Sequence, residues 1–493
     1  MTAIHRSIFF SAVERYGVFV VTFIATAVLA RLLDPGEFGI YAAINALTTV
    51  IAASFQEFGG ANYLIQKRNL ARANVRTAFT ITLVLSLLIG GLLALLSGPL
   101  ALLFSEDALR FGIAVAALNF IILPFTSTIT ALFRRDLAFG PLAASNLVGC
   151  VVSSGLSIAL AAHGFSYMAP IWGMLGGNLI VALMLLGWRR DVSILSPSLS
   201  EYRDVVGFGL YSSGVTLVNI FYNFAPQLFM ARILDFAAVG LYSRATAMTQ
   251  MFDKLVMQVL NPVILPAVFK QNEAGTDLKK IYLDAVGLLS VLQWPFLIFV
   301  ALLAHPIVAI WLGETWLDIV PLVRLLCIGY LALFAACLTY PVLVAAGGVR
   351  DAWLCTIIAL PPSLLLIFFA SFQGVTAVAA SALFTLPFQA GVSIAFLSRR
   401  LDMRVSEFFG ATVKSFLVTL CAVSVPALWA LLIEFERVNA VLGLIVASAC
   451  AATGWVTGVT VTRHPIFGLI QSTARQLRIT GFRPIKAETG SNM

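Results

Sequence analysis

Fourteen stretches of about 20 mostly apolar residues run along this 493-residue chain, each long enough to cross a hydrocarbon core. They predict helices over 9–31, 38–58, 78–98, 110–132, 142–162, 166–188, 206–230, 237–260, 282–304, 319–343, 352–371, 375–397, 411–433 and 439–461. The short connections alternate in charge. One set, which includes both ends of the chain and the 59–77 connection, carries 22 Lys and Arg; the other carries four, Arg31, Arg110, Arg232 and Arg437. Basic residues collect in cytoplasmic loops. A missed or extra span would scramble the alternation, so both termini are expected in the cytoplasm.

Two segments read alike at an offset of 201 residues. Ala30-Arg31-Leu32-Leu33-Asp34, then Gly39-Ile40-Tyr41, recurs as Ala231-Arg232-Ile233-Leu234-Asp235, then Gly240-Leu241-Tyr242. Each copy follows one apolar stretch and opens the next, with six stretches between equivalent points. The expected fold is an all-α integral membrane protein of about 14 transmembrane helices. A six-helix bundle over 1–200 and a second over 201–400 form a parallel repeat, followed by two additional helices within 401–465 and a basic cytoplasmic tail over 466–493. Parallel repeats place a substrate site where their halves meet.

Composition narrows the class. With 60% hydrophobic and 11% charged residues, and a mean hydropathy of +0.97, too few charges remain to coat a water-facing surface. The net charge of +8 sits in short loops, an orientation signal and not a nucleic-acid footprint. The first apolar stretch, from Ile8 to Leu33, is longer than a secretory h-region and carries Glu14 and Arg15, so a retained helix is expected. The six cysteines lie within apolar stretches and the four histidines are scattered, so no metal or cofactor is expected. No connection is long enough to fold as a domain, which confines function to the membrane helices.

Polar positions inside the spans form matched stripes. Ser212, Thr216, Asn219, Asn223 and Gln227 share one face of the seventh span, at about 100° per residue. Subtracting the offset gives Ser11, Arg15, Val18, Thr22 and Thr26 on the first span. Tyr41, Asn45 and Thr48 likewise match Tyr242, Thr246 and Thr249, and Asp253 continues the second stripe. Helix–helix hydrogen bonding explains a single such residue; four matched stripes point to a polar cavity between the halves. Arg15, Arg244 and Arg324 lie within spans, where an ionisable side chain is a functional candidate. Guanidinium and amides together suit an anionic, hydroxyl-rich cargo. Arg31 and Arg232, each followed by an Asp, mark equivalent turns and read either as turn-fixing pairs or as a gate at the outer mouth.

The run from Leu29 to Tyr41, with Asp34-Pro35-Gly36-Glu37-Phe38, resembles the first-helix exit of the polysaccharide transporter (Wzx-like) family in the multidrug/oligosaccharidyl-lipid/polysaccharide exporter superfamily. Phe58-Gly59-Gly60-Ala61-Asn62-Tyr63-Leu64-Ile65-Gln66-Lys67 resembles the end of that family's second helix. The resemblance implies a V of two six-helix bundles plus two extra helices. It implies flipping of an undecaprenyl-pyrophosphate-linked oligosaccharide from the cytoplasmic to the periplasmic leaflet of the bacterial inner membrane, for exopolysaccharide or O-antigen synthesis. The expected partners are that lipid-linked oligosaccharide, membrane lipids, a polysaccharide polymerase and a chain-length regulator. Arg15, Arg244 and Arg324 become pyrophosphate candidates by position, with Thr22, Asn45, Asn219, Asn223 and Gln227 lining the path; Glu57 and Asp253 are the candidates for ion coupling. Three rivals are weighed. A small-solute or drug antiporter of the same superfamily would favour twelve spans and a buried acid. A membrane enzyme would need a large extramembrane loop or an acidic cluster, and a scaffold would leave the matched stripes without purpose.

Overall fold

Helices account for all the regular structure among the described residues. The computed structural model describes residues 3–56, 61–67, 70–189, 191–200, 202–257, 277–336, 338–432, 440–468 and 471. In chain order the helices are α1 (Ala3–Leu32), α2 (Pro35–Gln56), α3 (Ala61–Gln66), α4 (Arg72–Phe104), α5 (Ala108–Ala117), α6 (Asn119–Arg135), α7 (Phe139–Ala162), α8 (Met168–Trp188) and α9 (Tyr202–Ile233). They continue as α10 (Phe236–Thr249), α11 (Leu278–Leu302), α12 (Ala304–Trp311), α13 (Val320–Tyr330), α14 (Thr339–Ala345), α15 (Val349–Ser371), α16 (Val375–Leu401), α17 (Val405–Leu432) and α18 (Ala440–Val461). Among the described residues, ten helical segments have the length and apolar character to cross a membrane, so that criterion does not confirm the predicted total of fourteen. The chain is a multi-pass membrane protein.

Three predicted spans are interrupted, each differently. The 110–132 stretch breaks at Leu118 into α5 and α6. The 237–260 stretch ends as α10 at Thr249 and resumes as a π-turn over Asp253–Met257. The 319–343 stretch splits into α13 and α14 around a 3-10 turn at Leu333–Ala335. Pro341 lies just beyond that break; it has no N–H to give and its ring crowds the carbonyl four residues back. The Trp294 indole donates to the Leu331 carbonyl at 2.9 Å, satisfying a group released there.

Small residues set the packing. Gly149, Gly173 and Gly177 let α7 and α8 approach closely, with Ser153 and Ser157 filling the seam. α1 lies on α7, α2 crosses α10, and α9 packs on α2 and α15. α17 lies on α11 and carries α18 on its other side. The first apolar core joins distant parts of the chain: Leu29, Ala30, Leu33 and Phe38 pack with Val308, Trp311, Leu312 and Trp316.

The 304–319 connection between two predicted spans forms α12 and a 3-10 turn (Glu314–Ile319) lying across the ends of α1 and α2. We call this the sealed end. The basic connections lie at the other end.

Candidate functional site

Two helix turns with the same sequence build the sealed end. Asp34 begins α2 and its Oδ1 accepts from the Glu37 N–H at 2.8 Å, while the Glu37 carboxylate accepts from the Asp34 N–H at 3.2 Å, a reciprocal cap. Asp235 begins α10 in the same way, accepting from the Ala238 N–H at 2.7 Å. Five residues into each turn the chain needs glycine. A Cβ on Gly39 would overlap the Phe236 carbonyl oxygen, and one on Gly240 would overlap the Pro35 carbonyl oxygen. The repeated glycines are therefore the contact at which α2 and α10 cross.

The two repeated arginines part company. Arg31 Nη1 donates to the Ala27 carbonyl at 2.7 Å and to Trp311 O at 3.0 Å, and Nη2 donates to Ile310 O at 2.7 Å. It thus clamps the C-terminal carbonyls of α12, groups that a helix cannot satisfy internally. The Trp311 indole donates back to Phe23 O at 3.1 Å and its ring stacks on Phe23 at 4.6 Å. The buried Trp316 indole donates to the Ala30 carbonyl at 2.7 Å. Arg232, the repeat partner, is exposed and has no such clamp among the described residues. Neither arginine forms an ion pair with its Asp among the described residues.

Arg244 lies under this seal. It is eight residues into α10, about 12 Å along the axis. Its guanidinium carbon sits 3.8 Å from the centroid of the Phe38 ring, and its Nε is buried with no hydrogen-bond partner. Phe38 is held edge-on by Trp316 and by Tyr41. No carboxylate pairs with Arg244 among the described residues. A desolvated guanidinium is costly unless matched by negative charge, and the Phe38 face supplies only part of that match, about 2 kcal/mol.

The polar arc of α1 is directed between two neighbours. Its α7 side is marked by Glu14, which accepts from Asn146 at 2.6 Å, and by Gly17 against Leu147. Its contact with α12 and the 3-10 turn after it runs through Phe23, Ala27 and Ala30. The lipid side is the exposed row Phe9, Val13, Val20 and Ile24. At about 100° per residue, Ser11, Arg15, Thr22 and Thr26 fall between the α7 side and the α12 side. Arg15 is half-buried; Thr22 is exposed, with its hydroxyl 3.6 Å from the Cys150 sulfur. On α9, Asn219 and Asn223 are exposed and Gln227 is half-buried. The side chains of Ser212 and Thr216 lie outside the described residues.

The other predicted residues fall in different places. Asn45 lines a 280 Å³ pocket with Thr48, Thr49, Asn119, Thr126 and Asn178, among α2, α6 and α8, and Ile220 of α9 completes its wall next to Asn219. There Asn178 donates to Asn119 at 2.8 Å. Asp253 sits in the π-turn, next to the place where the Tyr16 hydroxyl reaches Leu255 O at 3.5 Å. Arg324 lies elsewhere, in a groove among α11, α13 and α17. Glu57 lies outside the described residues. Sequence reasoning missed Trp311, Trp316 and Phe38; the signal available was two tryptophans in an apolar connection.

This is an all-helical membrane protein with repeated helix turns crossing at one end, a buried guanidinium beneath the crossing and polar arcs on α1 and α9. The chain belongs to the family described as polysaccharide biosynthesis protein, whose model matches residues 28–321. It is 22% identical over 309 residues to the lipopolysaccharide biosynthesis protein WzxC of Escherichia coli, covering 61% of each chain. It is 23% identical over 326 residues to the succinoglycan biosynthesis transport protein ExoT of Rhizobium meliloti, covering 65% of each. The matched stretch thus spans under two thirds of either relative. Among solved structures, the lipid II flippase MurJ in an inward closed conformation superposes with a TM-score of 0.75 at 9% identity, over 93% of this chain and 100% of MurJ. An inward-facing multidrug resistance MATE family transporter gives 0.56 at 17% identity, over 80% and 94%. These likenesses establish the shared fold.

Proposed function

We propose that this protein flips a lipid-linked oligosaccharide, carried on undecaprenyl pyrophosphate, from the cytoplasmic to the periplasmic leaflet of the bacterial inner membrane. Both termini lie in the cytoplasm, the sealed end faces the periplasm, and residues 1–200 and 201–400 rock about the α2–α10 crossing. The chain is no enzyme; it supplies a path. The obstacle is carrying a hydroxylated anionic headgroup through hydrocarbon, where each unpaired polar group costs several kcal/mol. A cleft edged by Thr22, Asn219, Asn223 and Gln227 replaces water's hydrogen bonds, and the lipid tail stays in the bilayer.

The observation that carries this reading is Arg244, a buried guanidinium braced on Phe38 with an unpaired Nε and no carboxylate partner. It is a site prepared for an anion. Arg15, deeper along α1, receives the pyrophosphate first. Arg31 is the gate, and Asp253 in its π-turn is the coupling candidate. The roles of relatives in lipopolysaccharide, succinoglycan and teichuronic acid biosynthesis support a sugar cargo, as does the likeness to a lipid II flippase. A drug antiporter for cations would set an acid where Arg244 stands. A polysaccharide polymerase and a chain-length regulator then act on the delivered product.

Translocation of lipid-linked oligosaccharide in reconstituted vesicles tests this. Arg244→Gln is expected to slow transport ten- to a hundredfold, the loss of about 1.5–3 kcal/mol for a charge-assisted contact. Unchanged transport by Arg244→Gln removes Arg244 from the site, and no transport by the intact protein overturns the function.

A further inference from the structure

The groove that holds Arg324 does not belong to the cleft. Its volume is about 470 Å³, within the range of small-molecule sites. Its walls are Leu297, Ala301 and Leu302 of α11, Ile328 of α13, and Ala427 and Ala430 of α17. The two alanines create the space, since larger side chains there would close α17 onto its neighbours. Ile328 in the lining is 53% exposed, so the opening looks onto hydrocarbon. Arg324 is the charged residue in this apolar lining. Its Nε donates to the Ala301 carbonyl at 3.4 Å, in the last turn of α11, where carbonyls lack intrahelical partners. The guanidinium's other two nitrogens have no hydrogen bond to any described residue, and no acidic group pairs with them there.

We infer that this groove binds one anionic phospholipid, its phosphodiester on the Arg324 guanidinium and an acyl chain along the alanine-lined wall. A guanidinium beside hydrocarbon calls for an anion that brings its own tails, and its planar fork suits phosphate. Arg324 is only four residues into α13, about 6 Å along the axis from its start at the sealed end. That is the depth of one leaflet's phosphates. A lipid placed there belongs to that leaflet and does not cross. It wedges α17, which lies outside the repeated halves, against α11 and α13. A cargo lipid would have to reach the cleft, which this groove does not line.

Native mass spectrometry of the delipidated full chain, titrated with phosphatidylglycerol or with phosphatidylcholine of the same acyl chains, tests the site. The intact protein is expected to keep one phosphatidylglycerol where phosphatidylcholine is lost. Arg324→Gln is expected to cut that retention about tenfold, the order of one charge-assisted hydrogen bond, and to leave phosphatidylcholine unchanged. Ala430→Phe, which fills the groove and keeps the charge, is expected to abolish the retained lipid and keeps the test decisive if Arg324→Gln does not fold. Equal retention of the two lipids by the intact protein, or undiminished phosphatidylglycerol on both variants, overturns the proposal. So does displacement by an equimolar polyprenyl diphosphate, which would make the groove a cargo site. Since lipid retention is read without transport, failure here is separate from failure of the flippase reading.

Discussion

Gly39 and Gly240 occupy equivalent positions of the repeat and meet each other: each backs onto a carbonyl at the start of the other's helix, Phe236 for Gly39 and Pro35 for Gly240. A methyl group at either position has no room, because the atom it meets is backbone and cannot rotate away. Gly39→Ala or Gly240→Ala is expected to push α2 and α10 apart, at about 1–3 kcal/mol for overpacking. The expected result is lower thermal stability in detergent and slower transport; an unshifted melt for both variants would show that the crossing is not a tight contact.

Arg31 joins α1 to α12 through the Ile310 and Trp311 carbonyls, whereas Arg232 does not mirror it among the described residues. Arg31→Gln is expected to loosen the sealed end, and Arg232→Gln to leave it shut. A cysteine at Thr26, one turn below the seal, reports this in a background freed of native cysteines. Labelling by an impermeant maleimide from the sealed side should rise about tenfold in Arg31→Gln, from a loss of about 1.5 kcal/mol. Equal labelling of both variants would remove Arg31 from the gate.

Phe38 braces Arg244 and is itself held by Trp316. Phe38→Leu keeps apolar volume but removes the ring face, worth about 1–2 kcal/mol to a desolvated guanidinium. Transport is expected to fall several-fold in Phe38→Leu and to survive in Phe38→Tyr. If the leucine variant transports normally, the stacking has no part in holding Arg244 for cargo.

His464, just past α18, ties the extra helices to the rest. Its Nδ1 accepts from the Ile466 N–H at 3.3 Å, so the neutral ring carries its proton on Nε2, 3.2 Å from Ser415 Oγ. Ser415 in turn donates to the Gly287 carbonyl of α11 at 3.0 Å. Burial, with Lys414 nearby, pushes the His464 pKa below its ordinary value. A lowered pKa in the folded state means that the unfolded chain binds the proton more readily. The contribution of His464 to stability is then complete above the unfolded value of about 6.5 and is lost as pH falls below it. Melting between pH 7.5 and 5 should show a larger loss for the intact protein than for His464→Gln; parallel curves would refute the assignment.

Much of this molecule was legible in its residues. The scarcity of charge and the runs of about 20 apolar residues dictate membrane helices, because a chain in lipid must satisfy its backbone internally. The repeated Arg–Asp–Gly segment marked the two turns that meet, and Asp34 and Asp235 cap their helices as such residues do by local geometry. The polar arcs of α1 and α9 were visible as helical periodicity, and the depth of Arg244 could be counted. What periodicity cannot report is which neighbour a face meets. Only the tertiary structure separated Arg31 from Arg232, since the carbonyls that Arg31 clamps come from α12, some 280 positions away. It raised a connection with two tryptophans into the seal, and it set Arg324 in a groove among α11, α13 and α17 and Asn45 in a pocket shared by α2, α6, α8 and α9. Hydropathy and spacing are properties of neighbours along the chain; seals, braces and grooves are made by residues that only packing brings together.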